Sequence, residues 1–534
     1  MVTGCMPDEG TNSWLTPDRR RFLAGLGAGV GTGLAGCTGG DGTSTEDPGS
    51  TDGGGGNADR PTSVSVGIAN GGWDLIPGLD TDFDSNKVYT LIYDNVVNLD
   101  PDGAVVPELA TDWEQESETQ FVFTLEEGVT FHNGSEFTAA DVKYTYEWFG
   151  NNENPRKNYV EPVEDVVVED DYTVRFDLSD PYGPFLYKVH AVMWPLSEEA
   201  LDEHGEDYNQ NPVGTGPYEL TSWDSGNKAV LEKYDDYWKD DLPQIDEIEF
   251  RILPEDSTKV TQLETGSVDL VDRILPNQTQ RIENAENVDL LTKPGVSVGR
   301  VDFNTDVEPL SDRRVRRALA WATDKQQIVD VVLTGFAEPA TSVVPNSSPA
   351  YNDDVSDFDH PNGDPDRATE LLSEAGYEDL SLEFLVPTRD RHENQASLLQ
   401  SMFGEVGVDV TIRTMEGNAF FSTETDGDYE VAISNFTWFG DPDTLLYLFH
   451  ADGLNLWNID NQELNDLLDE QRRTVDRDER GALMDEIQTI IYEEAYSIFT
   501  YYPQRIQGLN TRIQGFEQYP NGSFRSLDGA RVSE

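Results

Sequence analysis

Between Asp364 and Asn435 the chain alternates helix and strand signals in an order that leaves few folds open to it. Asp364 can cap a helix that starts at Pro365, Ala368, Leu371, Leu372 and Ala375 recur at helical spacing, and Gly376 stands where a glycine ends a helix. Leu380 to Pro387 then reads as a strand. Glu393 to Val406 reads as an amphipathic helix presenting Leu398, Leu399, Met402 and Phe403, and Val408 to Ile412 and Tyr429 to Asn435 read as two further strands. Strand, helix, strand requires a parallel sheet with helices on its faces, so the fold class is α/β. In such sheets ligands bind in the crevice beyond the carboxyl ends of the strands. Two of those ends carry notable chemistry: Thr388-Arg389 after LEFLVP, and FTWFGDPD, Phe436 to Asp443, after YEVAISN. A cation would thus face a cluster of aromatics and acids across one cleft. The alternative reading of that cluster is an ordinary strand ending in a capped turn.

The N-terminal part of the body reads differently. Ser63 to Ala69 alternates as a first strand, Phe121 to Gly134 as strand, turn and strand, Thr138 to Phe149 as a helix, and Val163 to Leu178 as a hairpin turning at Glu169 to Asp171. Gly214-Thr215-Gly216 marks a turn. At 534 residues the chain is too long for one core and implies several lobes. Its charge is extreme: 103 Asp and Glu against 36 Lys and Arg give −67. The acids are scattered through globular sequence, which describes a uniformly acidic surface rather than an interaction tail. Such a surface repels itself unless screening is short-ranged, about 3 Å at 1 M salt against about 10 Å at 0.1 M, and the composition therefore reads as halophilic. Without a basic patch to release phosphate counterions, nucleic acid and anionic membrane surfaces are excluded as partners.

The first 61 residues form an address and a tether. Arg19-Arg20-Arg21-Phe22-Leu23 fits the twin-arginine export pattern through Arg19 and Arg20, and the small apolar run that follows is too short to cross a hydrocarbon core of ~30 Å. Leu34-Ala35-Gly36-Cys37 resembles a lipobox, with Cys37 as the lipid attachment site. Cleavage before Cys37 would remove the other cysteine, Cys5, so no disulfide is expected; the polar head also leaves Met6 as a possible start. Residues 38–61, rich in Gly, Ser, Thr and Asp, read as a flexible tether spanning roughly 26 Å root-mean-square. The expected location is the outer face of the cytoplasmic membrane, reached by twin-arginine export and held by lipid.

Catalytic motifs are weak. GVSVG, Gly295 to Gly299, matches a nucleophile elbow around Ser297, but alternation continues through Phe303 where the elbow needs a turn into a helix. GTGLAG lies inside the signal. Asp80, Asp82 and Asp84 have the spacing of a calcium loop without its later glycine and glutamate. His132, His190, His204, His360, His392 and His450 show no paired metal spacing. No catalytic residue, metal or cofactor is assigned. Five Asn-x-Ser/Thr sequons, at Asn133, Asn277, Asn346, Asn435 and Asn521, could be glycosylated.

Longer blocks carry a resemblance. VPELATDWEQESETQFVFTLEEGVTFHNGSEFTAADVKYTYE (Val106 to Glu147), NPVGTGPYEL followed by YDDYWKDDLPQIDEIEF, LETGSVDLV, LSDRRVRRALAWATDKQQI and DPDRATELLSEAGY together resemble family 5 of the extracellular solute-binding proteins, the peptide-binding lipoproteins of ABC transporters. The resemblance implies a two-lobed periplasmic-binding-protein-like fold with a small domain inserted in lobe one. Lobe one would be 62–98, 211–300 and 507–534, the inserted domain 99–210, and lobe two 301–506. It also implies a monomeric, non-enzymatic receptor that captures a di- or oligopeptide between its lobes and delivers it to ABC permease subunits. An oligosaccharide or a metal chelate is the alternative cargo within the class, and a hydrolase using Ser297 the remote alternative outside it. By the resemblance, Asp441, shortly after Trp438, would receive the ligand's amine, with Asp443 as substitute because the spacing is short. Arg389 would meet the ligand's carboxylate, and Trp438, Phe439 and Asn435 would line the cleft.

Overall fold

The computed structural model describes residues 62–533 apart from 80–82, 153, 356–361, 378–379 and 438–439. The segments read above as an export signal and a tether, with Cys37, lie outside the described residues, as do Trp438 and Phe439.

A twelve-stranded sheet organises the molecule in two halves. In the first, Ser63–Ile68 runs parallel to Glu247–Ile252 and to Leu270–Val271, and Lys228–Lys233 and Tyr218–Asp224 extend the sheet antiparallel. In the second, Leu380–Pro387 lies parallel to Val408–Met415 and to Val431–Thr437, which pairs antiparallel with Ser297–Phe303. One long strand, Ser497–Asn510, belongs to both: Ser497 to Tyr501 pair with Ser297–Phe303, and Gln504 to Asn510 pair with Val288–Pro294. Its Pro503 falls where the partner changes, the place a residue without an N–H disturbs a ladder least. Gly295, between Pro294 and Ser297, donates to the Pro503 carbonyl at 3.1 Å, so the two passages of chain between the halves are bonded together.

Each half has its own core. Val64, Val66, Ile68, Leu231, Ile248 and Phe250 are buried in the first, and Val301, Phe303, Leu319, Phe384, Leu399 and Phe403 in the second. Burying each such side chain contributes about 1.5–3 kcal/mol. The local chemistry of the second half sets its elements. Asp364 accepts from the Arg367 N–H at 3.0 Å, Pro365 opens the helix Pro365–Ala375, and Gly376 closes it at φ 87°. The next helix, Asp390–Glu405, starts one turn earlier than the apolar spacing indicates, directly off the end of Leu380–Pro387.

A separate antiparallel sheet, in the order Ala110–Ser117, Gln120–Leu125, Thr173–Leu178, Val163–Asp170, is packed with Phe121, Phe123, Phe176 and Phe185 and covered by the helices Ala139–Asn151 and Phe185–Val192. All of these elements fall between residues 99 and 210. The second strand expected near Val129 to Gly134 is reduced to a single bridge, Thr130 to Glu136, because the chain turns at Gly128 and again at Gly134, both at positive φ. No helix among the described residues is long and apolar enough to cross a membrane.

Candidate ligand-binding site

Parallel pairing brings three carboxyl ends together in the second half. Pro387 stands opposite Met415, and Val431–Thr437 ends beside them. On the other flank Ser297 pairs with Thr437, Gly299 with Asn435, and Gly299 again with Tyr501. Arg389, two residues past Pro387, Asn435 and Tyr501 therefore share one end of this sheet, as the sequence places Arg389 and Asn435. Arg389 is exposed and its side chain has no partner among the described residues. Arg391 is half-buried, donates to Asn435 Oδ1 at 3.1 Å and lies 5.8 Å from the Tyr501 ring. Neither arginine has a carboxylate partner among the described residues.

Beside them lie several buried polar atoms short of a hydrogen bond. The Tyr501 hydroxyl and Gln395 Oε1 are buried without a hydrogen bond, Gln395 Nε2 donates to Thr500 Oγ1 at 3.2 Å, and the buried His392 ring makes no bond of good geometry, its nearest polar contact being the Asn435 side chain. A buried polar group left unpaired costs about 1–3 kcal/mol, so such a concentration marks a place that either holds a guest or is destabilised without one. Burial, helped by the Arg391 and Arg389 charges, pushes the His392 imidazole down to about 4, which keeps it neutral with one donor and one acceptor nitrogen at ordinary pH. Gly299 is required here by space: a Cβ on it would stand 2.5 Å from Tyr501 Cζ. The next residue, Arg300, pairs with Asp302 and with Glu424 at 3.0 Å and covers the Phe436 ring at 3.9 Å. Phe436, the first aromatic of FTWFGDPD, also packs edge-on against Trp457.

The two acids of that stretch are engaged elsewhere. Asp441, 2% exposed, takes a two-pronged bond from Arg480, with Nη1 to Oδ2 at 2.7 Å and Nη2 to Oδ1 at 2.6 Å, and accepts the Asp443 N–H at 2.8 Å. Asp443, fully buried, accepts from Arg472 Nε at 2.7 Å, Arg472 Nη2 at 2.9 Å and Gln471 Nε2 at 2.6 Å. Burial acts to raise the Asp443 carboxyl, yet Arg472 holds it below the usual carboxylate range. The turn after Val431–Thr437 is thereby fastened to the helices Gln462–Arg473 and Arg477–Glu493. Sequence reasoning groups Asp441 and Asp443 with Arg389; the structure puts them instead into a buried network with Arg472 and Arg480.

That network touches the segment carrying the small sheet. Gly183 N–H donates to the Arg472 carbonyl at 2.8 Å, and Lys188 Nζ reaches Thr444 Oγ1 at 3.5 Å. Nearby, a crevice of about 330 Å³ open to solvent lies between Gly103 on one side and Val296, Val344, Pro345, Gly440 and Pro442 on the other. A larger recess of about 550 Å³, lined by Arg317, Trp321, Lys325, Tyr492 and Ser497, is at the opposite end of the second half's sheet, where Ser497 pairs with Asp302, and is remote from the strand tips. Ser297 lies within a regular strand with its Oγ 2.7 Å from Thr437 Oγ1, so it has neither the turn nor the base of a nucleophile elbow. Arg391, His392, Gln395 and Tyr501 are the residues sequence reasoning missed; the run Thr388-Arg389-Asp390-Arg391-His392 held a signal for the first two, and nothing local distinguishes Tyr501.

The family model described as bacterial extracellular solute-binding proteins, family 5, middle region, matches residues 104–455. The dipeptide-binding protein of Escherichia coli K12 is 27% identical over 456 residues, covering 78% of this chain and 84% of that one. The glutathione-binding protein GsiB of Salmonella typhimurium is 29% identical over 485 residues, covering 88% and 94%. Among solved structures, the dipeptide binding protein from Pseudoalteromonas sp. SM9913 in complex with Met-Leu superimposes with a TM-score of 0.72 at 25% identity, covering 88% of this chain and all (100%) of that chain.

Proposed function

Because the chain belongs to the bacterial extracellular solute-binding proteins of family 5, we propose that it captures a peptide or peptide-like solute between two lobes and hands it to the permease of an ABC importer. One observation carries the choice of site: two arginines without carboxylate partners among the described residues, and beside them buried polar atoms of His392, Gln395 and Tyr501 short of hydrogen bonds, gather at the carboxyl ends of the second half's strands. Binding between lobes gives selectivity because only a solute touching both sides stabilises the closed form. We take the lobes to meet at Gly295 and Pro503, a few residues before the boundaries at 300 and 506 that the family resemblance implies, since Ser297–Phe303 pairs along its whole length with the second half. The small sheet would be the inserted domain of lobe one.

The remaining attributes belong to the same reading. Arg19 and Arg20 would direct export, Cys37 would carry lipid, residues 38–61 would be the tether, and the acidic surface would work in high salt. Trp438 and Phe439 would complete the wall beside Arg389. The test is calorimetric titration of the full chain with short peptides together with mass spectrometry of whatever co-purifies. A bound solute returned chemically unchanged is the expected outcome. Turnover of a bound peptide, abolished in Ser297→Ala, would overturn the receptor reading.

A further inference from the structure

Five Asn-x-Ser/Thr sequons stand in the chain, and the fold treats them unequally. Asn346 donates through Nδ2 to Glu338 Oε2 at 2.9 Å, and its Oδ1 is buried. Asn435 lies in the strand Val431–Thr437, with Oδ1 held by Arg391 and Nδ2 given to the hydroxyl of its own sequon, Thr437, at 3.2 Å. Asn521 is half-buried, and the Ser523 hydroxyl, sealed in at 5% exposure, accepts the Arg525 N–H at 3.2 Å. Asn277 is exposed, but Thr279 is buried and its hydroxyl donates to the Pro276 carbonyl at 2.8 Å.

Asn133 differs from all four. It is exposed on the turn 131–134, which the Gly134 N–H closes by donating to the Phe131 carbonyl at 2.8 Å, with Gly134 at φ 82°. Ser135 turns toward it: Oγ donates to Asn133 Oδ1 at 2.7 Å and the Ser135 N–H to the same oxygen at 3.1 Å. Asn133 Nδ2 has no partner among the described residues. The turn is also firmly based, since the His132 N–H donates to the Gly214 carbonyl at 2.9 Å and the Tyr234 hydroxyl to the Phe131 carbonyl at 3.0 Å. Amide and hydroxyl are thus offered together on an ordered, solvent-facing loop.

From this comparison we propose that Asn133 is the N-glycosylation site of the chain and that the other four sequons stay bare. The proposal rests on the export reading above: a body that leaves the cell already folded meets a transferring enzyme only through its surface. An asparagine whose amide is bonded inside the protein, or whose hydroxyl partner is buried, would have to be unfolded locally to be taken up. The donor class is a lipid-linked sugar phosphate. Asn133 Nδ2 forms the bond to the anomeric carbon, the bond from that carbon to the phosphate oxygen breaks with its electron pair leaving on the lipid phosphate, and one Nδ2 proton passes to a base of the transferring enzyme. Nothing is oxidised or reduced.

The test recovers the full chain from its own cells, with protease treatment of intact cells marking the exposed fraction, and weighs chymotryptic peptides across all five sequons. A sugar mass is expected on Asn133 in most exposed molecules and on none of the other four. Ser135→Ala should lower occupancy at least tenfold and Ser135→Thr restore it, a pattern that a purely structural turn would not produce. An exposed chain whose Asn133 is bare, or altered only to aspartate, overturns the proposal and leaves export and solute capture intact. Sugar on Asn277, Asn346, Asn435 or Asn521 overturns selection by the folded surface. A bare chain confined to the cytoplasm overturns the proposal and the export reading together.

Discussion

Replacing Asp441 by asparagine separates a ligand contact from a structural one. The substitution keeps shape but removes the charge that Arg480 meets with two bonds, leaving a guanidinium that is 7% exposed with, among the described residues, the Gln471 carbonyl and side chain to turn to. Breaking a buried pair from one side costs about 3–5 kcal/mol, while exchanging both members for apolar groups of similar volume is often neutral. Spread over a cooperative unit of about 200 residues, at about 2–4 °C per kcal/mol, the loss is about 6–20 °C in melting temperature. Differential scanning calorimetry at fixed salt should therefore show Asp441→Asn strongly destabilised, Arg480→Met comparably so, and Asp441→Leu/Arg480→Met recovering most of the difference. Such non-additivity is the signature of two groups in one contact. Affinity of the folded Asp441→Asn protein for its solute should change by less than about threefold, far short of the tenfold per 1.4 kcal/mol that a lost direct contact implies. An unchanged melting temperature together with affinity weakened tenfold or more would refute the reasoning and return Asp441 to the cleft.

Three further outcomes follow from other contacts. In Gly183→Ala the added methyl would stand 2.3 Å from the Thr474 carbonyl and 2.7 Å from Arg480 Cδ, so the segment should lift off the second half; solution scattering should report a larger radius of gyration and titration a weaker solute affinity, with calorimetry nearly unchanged, and an unchanged radius would count against a contact between lobes. Burial lowers His132, His190 and His392 to about 4 from an ordinary 6.5. Since the folded state prefers the neutral ring, the stability these groups contribute is complete above pH ~6.5 and is lost as pH falls towards 4, so the melting temperature should decline through that window and His392→Gln should flatten part of the decline. Finally, the −67 charge predicts a melting temperature that rises steeply between 0.1 M and 3 M KCl; equal values would remove the halophilic reading.

What the sequence makes legible is local chemistry. The helix Pro365–Ala375 declares itself through a cap, a proline and a terminal glycine within thirteen residues, and Leu380–Pro387 through an apolar run of β-formers. Thr130 to Gly134 shows the opposite case, an alternation too short to outweigh two glycines that turn the chain. The strand Ser497–Asn510 hides in plain sight because Pro503 and a polar second half argue against a strand, and only the change of partner at that proline makes it compatible with one. The alternation of strands and helices located the strand tips, yet the partners of Asp441 and Asp443 lie 39 and 29 residues downstream, and no periodicity links a turn to a particular arginine at that distance.

In a chain with 103 acids an individual carboxylate says little, because any surface position can carry one. Basic residues number 36, and their placement is the scarcer signal. Arg472 and Arg480 are drawn into buried contacts whose desolvation is offset by matched geometry, Arg300 into another, and each thereby fixes the end of Val431–Thr437 in position. Arg389 and Arg391 are the contrary case: surrounded by acidic surface, they nevertheless stand at the strand tips without a carboxylate among the described residues. Within so acidic a surface, two arginines at the ends of parallel strands with no carboxylate among the described residues are the feature on which the proposed solute site rests.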